Sequence, residues 1–346
     1  MACRFVWTAL HDRLHKIVRQ RQLLVANQSL LIAVSGGQDS VCLAQLLGDL
    51  QPKWGWHLGI AHCDHRWRED STANAIYVRR LAAVWQLPFY LAVAEMPIAS
   101  EAAARQWRYQ ALTAIAQQHG YSTLVTGHTA SDRAETLLFN LMRGSGAEGL
   151  QSLVWQRDLT NNLTLVRPLL NFTREETGAF CQAFDLPVWH DRTNDDLTYA
   201  RNRIRRELLP YLRSRFNPQT EQHLAQTAEL LQAEVDYLEA VTQDWYQRAC
   251  FSAEAIPRET MLGSGAIVAP FAFEQSLNRN VLRQAPLALQ RRVIRRFLTQ
   301  ALPSQPNFQQ IEKVVALLHS PNRSCSDPFP GGAIAKVSHP WIQLVK

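Results

Sequence analysis

Six residues, Ser35-Gly36-Gly37-Gln38-Asp39-Ser40, carry the strongest chemical signal in the chain. They follow a short apolar run, Leu30–Val34, and open a stretch of helical period. Two consecutive glycines let successive N–H groups point into one concavity, and a helix N-terminus adds a favourable field for an anion. Ser35 and Ser40 add hydroxyl donors. Asp39 is out of place in a phosphate cradle unless a cation bridges it to the ligand, and Mg²⁺ suits that task because it takes one or two carboxylates plus substrate phosphates. No GxxxxGK[ST] pattern occurs, so the loop is not the lysine-bearing Walker type. The plainer alternative is a turn in which Asp39 only complements the helix N-terminus. Gly144–Gly149 matches GxGxxG but follows a helical stretch rather than a strand, so it fails as a dinucleotide site.

Further candidates are spaced along the next hundred residues. His62-Cys63-Asp64-His65-Arg66-Trp67-Arg68 ends a second apolar run. His62, Asp64 and His65 have metal-ligand chemistry, but such a tight cluster lacks the usual distant ligand, and contact with a nucleotide is the better expectation. Arg105 and Arg108 lie three apart on one helical face, where they clamp a phosphate or simply meet solvent. Gly127–Thr136, GHTASDRAET, places His128 in a loop and Asp132 and Glu135 in the first turns of a helix. A capping interaction of Asp132 with Thr129 is the bland reading; a histidine and two carboxylates converging on a substrate pocket is the sharper one. Beyond them come LMRGSGAEGL, RPLL (Arg167–Leu170), WHDRTN (Trp189–Asn194) and RNRIRRELLPYL. In the last, Ile204, Leu208 and Leu212 recur at helical spacing and should pack inward. That leaves Arg201, Arg203, Arg205 and Arg206 on other faces, open to a phosphate backbone.

These groups need a scaffold that gathers distant loops. Apolar runs at Leu30–Val34, His57–His62, Phe89–Ala94 and Thr123–Gly127 read as buried strands. Between them lie helical patterns at Ser40–Leu50, Ser71–Gln86, Ser100–His119 and Ser131–Met142. This alternation predicts an α/β fold, a parallel sheet with helices on both faces, with ligand loops at the carboxyl ends of the strands. After residue 216 the strand signals stop. A helical pattern spans Phe216–Gln247, a Gly/Pro-containing stretch covers Pro257–Pro270, and further helices are expected at Leu287–Leu302 and Phe308–His319 before a short terminal β hairpin or meander. The expected domains are residues 1–216, catalytic, and 217–346, mainly helical.

Composition narrows the class. The 346 residues are 47% hydrophobic and 19% charged, which supports a folded core and excludes a disordered chain. No apolar run approaches the ~20 residues of a membrane span, and the N-terminus does not read as a signal peptide. Six scattered cysteines without a CxxC pair argue against a disulfide scaffold or a Cys-based cluster and fit a reducing cytoplasm. Arginine makes up 31 of the 36 basic residues. The segment 216–274 has a net charge of −7, whereas 275–346 has +8. Arg-rich basic surface suits phosphate recognition, so a nucleic-acid partner is expected.

SGGxDS after the first strand resembles the PP-loop, or N-type ATP pyrophosphatase, superfamily. The ordered motifs across residues 30–212 resemble, within it, the tRNA(Ile)-lysidine synthetase family. The resemblance implies that ATP adenylates the 2-oxo group of the wobble cytidine in a CAU-anticodon isoleucine tRNA, and that free L-lysine then displaces AMP. By position, Ser35–Ser40 would hold pyrophosphate and Mg²⁺, with Asp39 as the metal ligand, and His62, Asp64 and His65 would lie near the nucleotide. Arg105 or Arg108 would assist phosphate chemistry, while His128, Asp132 and Glu135 would face cytidine and lysine. tRNA contacts are expected from Arg201, Arg203, Arg205 and Arg206 and from the tail residues Arg291, Arg292, Arg295 and Arg296; a homodimer is compatible. Competing readings are a PP-loop tRNA sulfur-transferase, an amidating synthetase such as an NAD synthetase, and a non-catalytic tRNA-binding protein.

Overall fold

The computed structural model describes residues 6–66, 70–96, 98, 100–190, 195–252 and 275–345. Trp67 and Arg68 of the second motif, Asp191–Asn194 of WHDRTN and the stretch Pro257–Pro270 lie outside the described residues. The chain divides into two compact units, residues 1–232 and 233–346.

The first unit opens with helix α1 (Ala9–Gln20) and then alternates β1 (Ser29–Ala33), α2 (Gln38–Trp54), β2 (His57–Asp64), α3 (Ser71–Val84), β3 (Phe89–Val93), α4 (Glu101–Gln118), β4 (Thr123–Thr126) and α5 (Ala130–Met142). All four expected strands and the four helices between and after them are present, with ends shifted by a few residues. A helical turn, α6 (Ala147–Leu150), leads to β5 (Gln156–Thr160) and β6 (Leu163–Val166), then to α7 (Arg174–Ala183). The sheet runs β3-β2-β1-β4-β6-β5. It is parallel except at its edge, where β5 pairs antiparallel with β6. Neither of these last two strands announces itself in the sequence: QRDLT is too polar to stand out as an apolar run, and LTLV is only four residues long.

Side-chain alternation explains why helices cover both faces. Along β1, Leu30 and Ile32 turn to a core shared with α1, α2 and α7, while Leu31 turns to one shared with Leu112 and Ala116 of α4. The chain moves from β1 outward through β2 and β3, then returns to lay β4 on the opposite side of β1. That reversal opens a crevice beyond the carboxyl ends of β1 and β4, the usual ligand site of such sheets. Ser35–Ser40 and Gly127–His128 both emerge there. Close approach at this point requires Gly127: a Cβ on it would lie 2.8 Å from the Asp39 carbonyl oxygen.

After α7, a helical stretch runs through α8 (Ala200–Arg203), a π-helical turn (Ile204–Leu208) and α9 (Leu209–Arg215). The π turn inserts one residue into the helical phase. Ile204 and Leu209 are therefore the buried pair, and Leu208, expected inward, is only half-buried. A 30-residue helix, α10 (Thr220–Ala249), contains the division between the units.

The second unit contains β7 (Cys250–Ser252), β8 (Gln275–Asn278), α11 (Arg279–Leu282), α12 (Leu287–Ala301), α13 (Phe308–Leu317), β9 (Ile334–Ser338) and β10 (Trp341–Val345). α12 and α13 fall where the periodicity placed them, α11 was not expected, and β9-β10 is a hairpin, one of the two forms expected there. β7 and β8 extend that hairpin to a four-stranded antiparallel sheet, which the sequence reading missed. Val293, Ile294, Phe297 and Leu298 of α12 pack with Val337 and Ile342 of the hairpin.

Candidate active site

The loop after β1 is shaped by its own short side chains. Gly36 has φ +91°, and a Cβ there would meet Asn74 Oδ1 at 2.6 Å. Ser40 Oγ accepts from the Ser35 N–H at 3.2 Å and donates to the Gly37 carbonyl at 2.9 Å. Gly37 starts α2 without a side-chain cap, so the helix N-terminus faces the crevice. Asn74 Nδ2 donates to the Ser35 carbonyl at 3.0 Å, and the Trp189 N–H donates to that of Gly36 at 2.9 Å. Asn74 Oδ1 and Trp189 Nε1 are buried without a hydrogen-bond partner. Orphaned polar atoms beside a glycine turn fit a site completed by a polar ligand.

Asp39, in the first turn of α2, is joined to the carboxylates of α5 by Arg174. The Arg174 guanidinium donates from Nε to Asp39 Oδ2 at 3.0 Å and from Nη2 to Asp132 Oδ1 at 3.1 Å, and its Nη1 lies 3.7 Å from Glu135 Oε1. Thr177 Oγ1 also donates to Asp39. Asp132 uses its other oxygen for the capping box of α5, accepting from Thr129 N–H at 2.8 Å and Thr129 Oγ1 at 2.9 Å. The capping interaction is thus present, and the second carboxylate oxygen is turned toward Arg174. Arg205 grips Glu135 from Nε and Nη2, at 2.7 and 2.8 Å. The inserted π-turn residue lies in the stretch that carries it; Arg205, expected on a phosphate-facing surface, is directed into the site instead.

Burial and charge pull these groups in different directions. Burial pushes the Asp39 carboxyl up, with Arg174 opposing it only in part. Glu135 is likewise raised by burial against the pull of Arg205. For Asp132 burial also acts upward, but Arg174 and the Thr129 hydrogen bond outweigh it and hold the group below its usual range. Arg174 is raised: burial disfavours its charge, and Asp132, Asp39 and Glu135 more than offset that.

The opposite wall is basic. Arg108 donates to His65 Nε2 from Nε and Nη2, at 3.2 and 3.1 Å. Arg105 lies over the Tyr109 ring, 5.4 Å from its centroid. Burial would raise the Tyr109 phenol, but Arg167, Arg105 and Arg157 hold it below its ordinary value. Arg167, the first residue of RPLL, is buried and donates to the Val154 carbonyl at 2.7 Å. His62 donates from Nδ1 to the Val34 carbonyl at 2.7 Å, tying β2 to the loop after β1. Asp64 is buried and accepts from the Arg66 N–H at 2.8 Å. His128 is hydrogen-bonded to Thr126 Oγ1 at 2.9 Å, and burial followed by the Arg167 charge lowers its pKa to about 3. Its imidazole is therefore neutral near pH 7.

Two joined chambers result. One, of about 580 Å³, is lined by Ser35, Gly37, Gln38, Asp39, Ser40, Arg105, Tyr109, Arg174 and Trp189. The other, of about 370 Å³, is lined by Asp64, Glu101, Glu135, Tyr199, Arg201 and Asn202. Residues lining both include His62, His65, Arg105, Arg108, His128, Asp132 and Arg205. Thus candidates from the loops after β1, β2 and β4 and from α4 line these chambers, Arg206 lines the larger one, and Gly36 lines neither. Arg203 does not line either chamber and donates to the carbonyls of Leu197 and Thr198, at 3.0 and 3.2 Å. Among the described residues no group of three His, Cys, Asp or Glu side chains could hold a metal.

Arg174, Thr177 and Tyr109 were not recognised from the sequence. The local signal near Arg174 is the capping box Thr173-x-x-Glu176, which marks a helix start and says nothing of the partners. In the second unit, Arg291 pairs with Glu312 at 2.7 Å, and Arg296 and Arg292 lie 3.2 and 3.9 Å from Glu239. Arg279 is buried and donates to the Ser320 carbonyl at 2.6 Å.

Comparison with known proteins places this geometry. A family model described as a PP-loop domain matches residues 8–212, and one described as the TilS substrate binding domain matches residues 277–337. The chain is 60% identical over 339 residues to a tRNA(Ile)-lysidine synthase of Nostoc sp., covering 98% of this chain and 97% of that protein. It is 51% identical over 338 residues to the same-named protein of a Synechococcus strain (98% and 97%). A chloroplastic tRNA(Ile)-lysidine synthase of Zygnema circumcarinatum is 36% identical over 350 residues (90% and 80%). Among solved structures, a U34-tRNA thiolase of Methanococcus maripaludis bearing a [4Fe-4S] cluster superposes with a TM-score of 0.55 at 14% identity, over 64% of this chain and 78% of that one. That last likeness shows a shared fold alone.

Proposed function

The chain belongs to the tRNA(Ile)-lysidine synthase family of PP-loop enzymes, and we propose that the joined chambers at the ends of β1 and β4 house both halves of its reaction. The larger chamber receives ATP, with the triphosphate against Ser35–Ser40 and the N-terminus of α2. The smaller receives the wobble cytidine of tRNA(Ile) and the side chain of free lysine. The observation that carries this reading is the wall the chambers share, with Arg108, His128 and Asp132 within reach of both.

In the first step the cytidine 2-oxo oxygen attacks the α-phosphorus and pyrophosphate leaves. Arg105 and Arg108 stand where charge grows on the phosphate, and their fixed positions make that stabilisation effective. Asp39 would hold Mg²⁺, and the ion would neutralise phosphate charge as pyrophosphate leaves. In the second step the lysine ε-amine attacks C2 of the adenylated base and AMP leaves. Asp132 and Glu135 attract the ammonium. Glu135, raised by burial, is the better placed of the two to take its proton. Neutral His128 can accept or donate a hydrogen bond to the base without adding charge.

The second unit supplies tRNA contacts through Arg291, Arg292, Arg295 and Arg296, and Arg203 and Arg206 offer more on the first. Sulfur transfer is disfavoured by the thiol nearest the cleft: burial pushes Cys63 up to about 12, far from a ready thiolate. The test is incubation of the purified protein with ATP, labelled lysine and a CAU-anticodon tRNA(Ile) transcript. Label should enter the tRNA with matching release of AMP and pyrophosphate. Absence of label, or incorporation from a sulfur donor or ammonia in place of lysine, overturns the reading.

A further inference from the structure

Building on the reading of Asp132 and Glu135 as the lysine pocket, we infer that Arg174 is a positioning residue that makes lysine binding depend on the nucleotide. Its guanidinium masks the pocket carboxylates in the empty enzyme and moves to the phosphates when ATP enters. The geometry is that of one cation spanning two sites: 3.0 Å from Asp39 on the phosphate loop, 3.1 Å from Asp132 and 3.7 Å from Glu135 in the pocket. Its backbone is pinned on both sides, with the carbonyl accepting from Gln38 Nε2 at 2.6 Å and the N–H donating to Ser131 Oγ at 3.1 Å. The side chain is the part left to move.

Charge decides the direction. In the empty site Arg174 and Arg205 match the two pocket carboxylates, Asp132 and Glu135, charge for charge, so little negative charge remains in the pocket to draw an ammonium ion. A triphosphate beside Asp39 stays anionic even with a divalent cation, and a guanidinium pairs well with phosphate through its fork. Transfer of Arg174 to the phosphates leaves Arg205 alone against Asp132 and Glu135. One unit of negative charge is then exposed, and the lysine ammonium replaces the departed guanidinium charge for charge. A ligand of one chamber thus changes affinity in the other through a single shared side chain.

Lysine binding to the full-length protein, measured by calorimetry with and without Mg²⁺ and α,β-methylene-ATP, tests this. The analogue should tighten lysine binding to wild type by about tenfold, within the usual range of coupling between sites. Arg174→Gln should bind lysine more tightly than wild type when nucleotide is absent and gain less than about twofold from the analogue. A merely structural arginine predicts the reverse, weaker lysine binding in both states. Arg174→Lys, which keeps the charge but cannot bridge, should fold and lose most of the coupling. Equal lysine affinity of wild type with and without analogue overturns the inference, as does wild-type coupling in both variants. Asp132→Asn separates this from the pocket reading: unchanged lysine affinity there sinks the pocket, whereas weakened affinity without nucleotide coupling in wild type sinks only the role of Arg174.

Discussion

Arg205 holds Glu135 through two parallel hydrogen bonds, 2.7 and 2.8 Å long, and the Glu135 side chain is only 4% exposed. Two helices distant in sequence are fastened at the active site by this one fork. Removing the guanidinium strands a buried carboxylate, so Arg205→Ala should cost about 3 kcal/mol of stability. Glu135→Gln in the same chain should recover part of that loss. Denaturant unfolding of both single variants and the double variant checks it; additive losses would show that the two residues are not coupled.

At Gly36, substitution by Ala meets two obstacles, the positive φ and the 2.6 Å approach to Asn74 Oδ1. The expected cost is about 1–3 kcal/mol, concentrated in the loop. Fluorescence titration with an ATP analogue should show nucleotide affinity falling more than lysine affinity. Unchanged nucleotide binding would mean that the turn does not shape the phosphate site.

The His128 imidazole should remain neutral throughout the working range. Its folded pKa of about 3 lies below the ordinary 6.5. The unfolded chain therefore binds the extra proton first as pH falls, and this residue lowers stability progressively between those two values. In the folded protein, NMR of labelled histidine should show no titration of His128 between about pH 5 and 8. A midpoint near the ordinary value would remove the argument for a neutral hydrogen-bonding partner.

Basic residues of the second unit should divide into two groups. Arg291, Arg292, Arg295 and Arg296 changed together to Gln should weaken tRNA binding and flatten its salt dependence by roughly 0.7–0.9 log units per lost phosphate contact. Arg279→Gln should instead lower stability, because that buried side chain holds the Ser320 carbonyl. Filter binding across a salt series, with thermal unfolding of each variant, distinguishes them. A salt slope unchanged by the fourfold variant excludes the phosphate role.

Much of this arrangement was legible in the sequence because local rules set it. Apolar runs marked β1 to β4, and the paired glycines marked the turn between β1 and α2; the switch in strand order, which the structure adds, brought the loops after β1, β2 and β4 together. What stayed hidden depends on contacts between distant segments. Nothing near Arg174 announces that its guanidinium will meet Asp39, 135 residues earlier. Helical spacing pointed Leu208 inward and Arg205 outward, but the π turn changed the phase, burying Leu209 and bringing Arg205 to Glu135. β5 to β8 stayed hidden because each is only three to five residues long and gains its stability from a neighbour rather than from an apolar pattern of its own.

If one cleft carries out adenylation and lysine transfer with different carboxylates, the two steps should separate by mutation. A single-turnover assay on a CAU-anticodon tRNA(Ile) transcript, following pyrophosphate release and lysine incorporation together, tests it most directly. Asp39→Asn should release almost no pyrophosphate while keeping the fold, through loss of roughly 3 kcal/mol or more of transition-state stabilisation. Glu135→Gln should still bind ATP and release pyrophosphate but incorporate little lysine. Near-wild-type pyrophosphate release by Asp39→Asn would remove Asp39 from the adenylation step, and wild-type lysine incorporation by Glu135→Gln would remove Glu135 from lysine transfer.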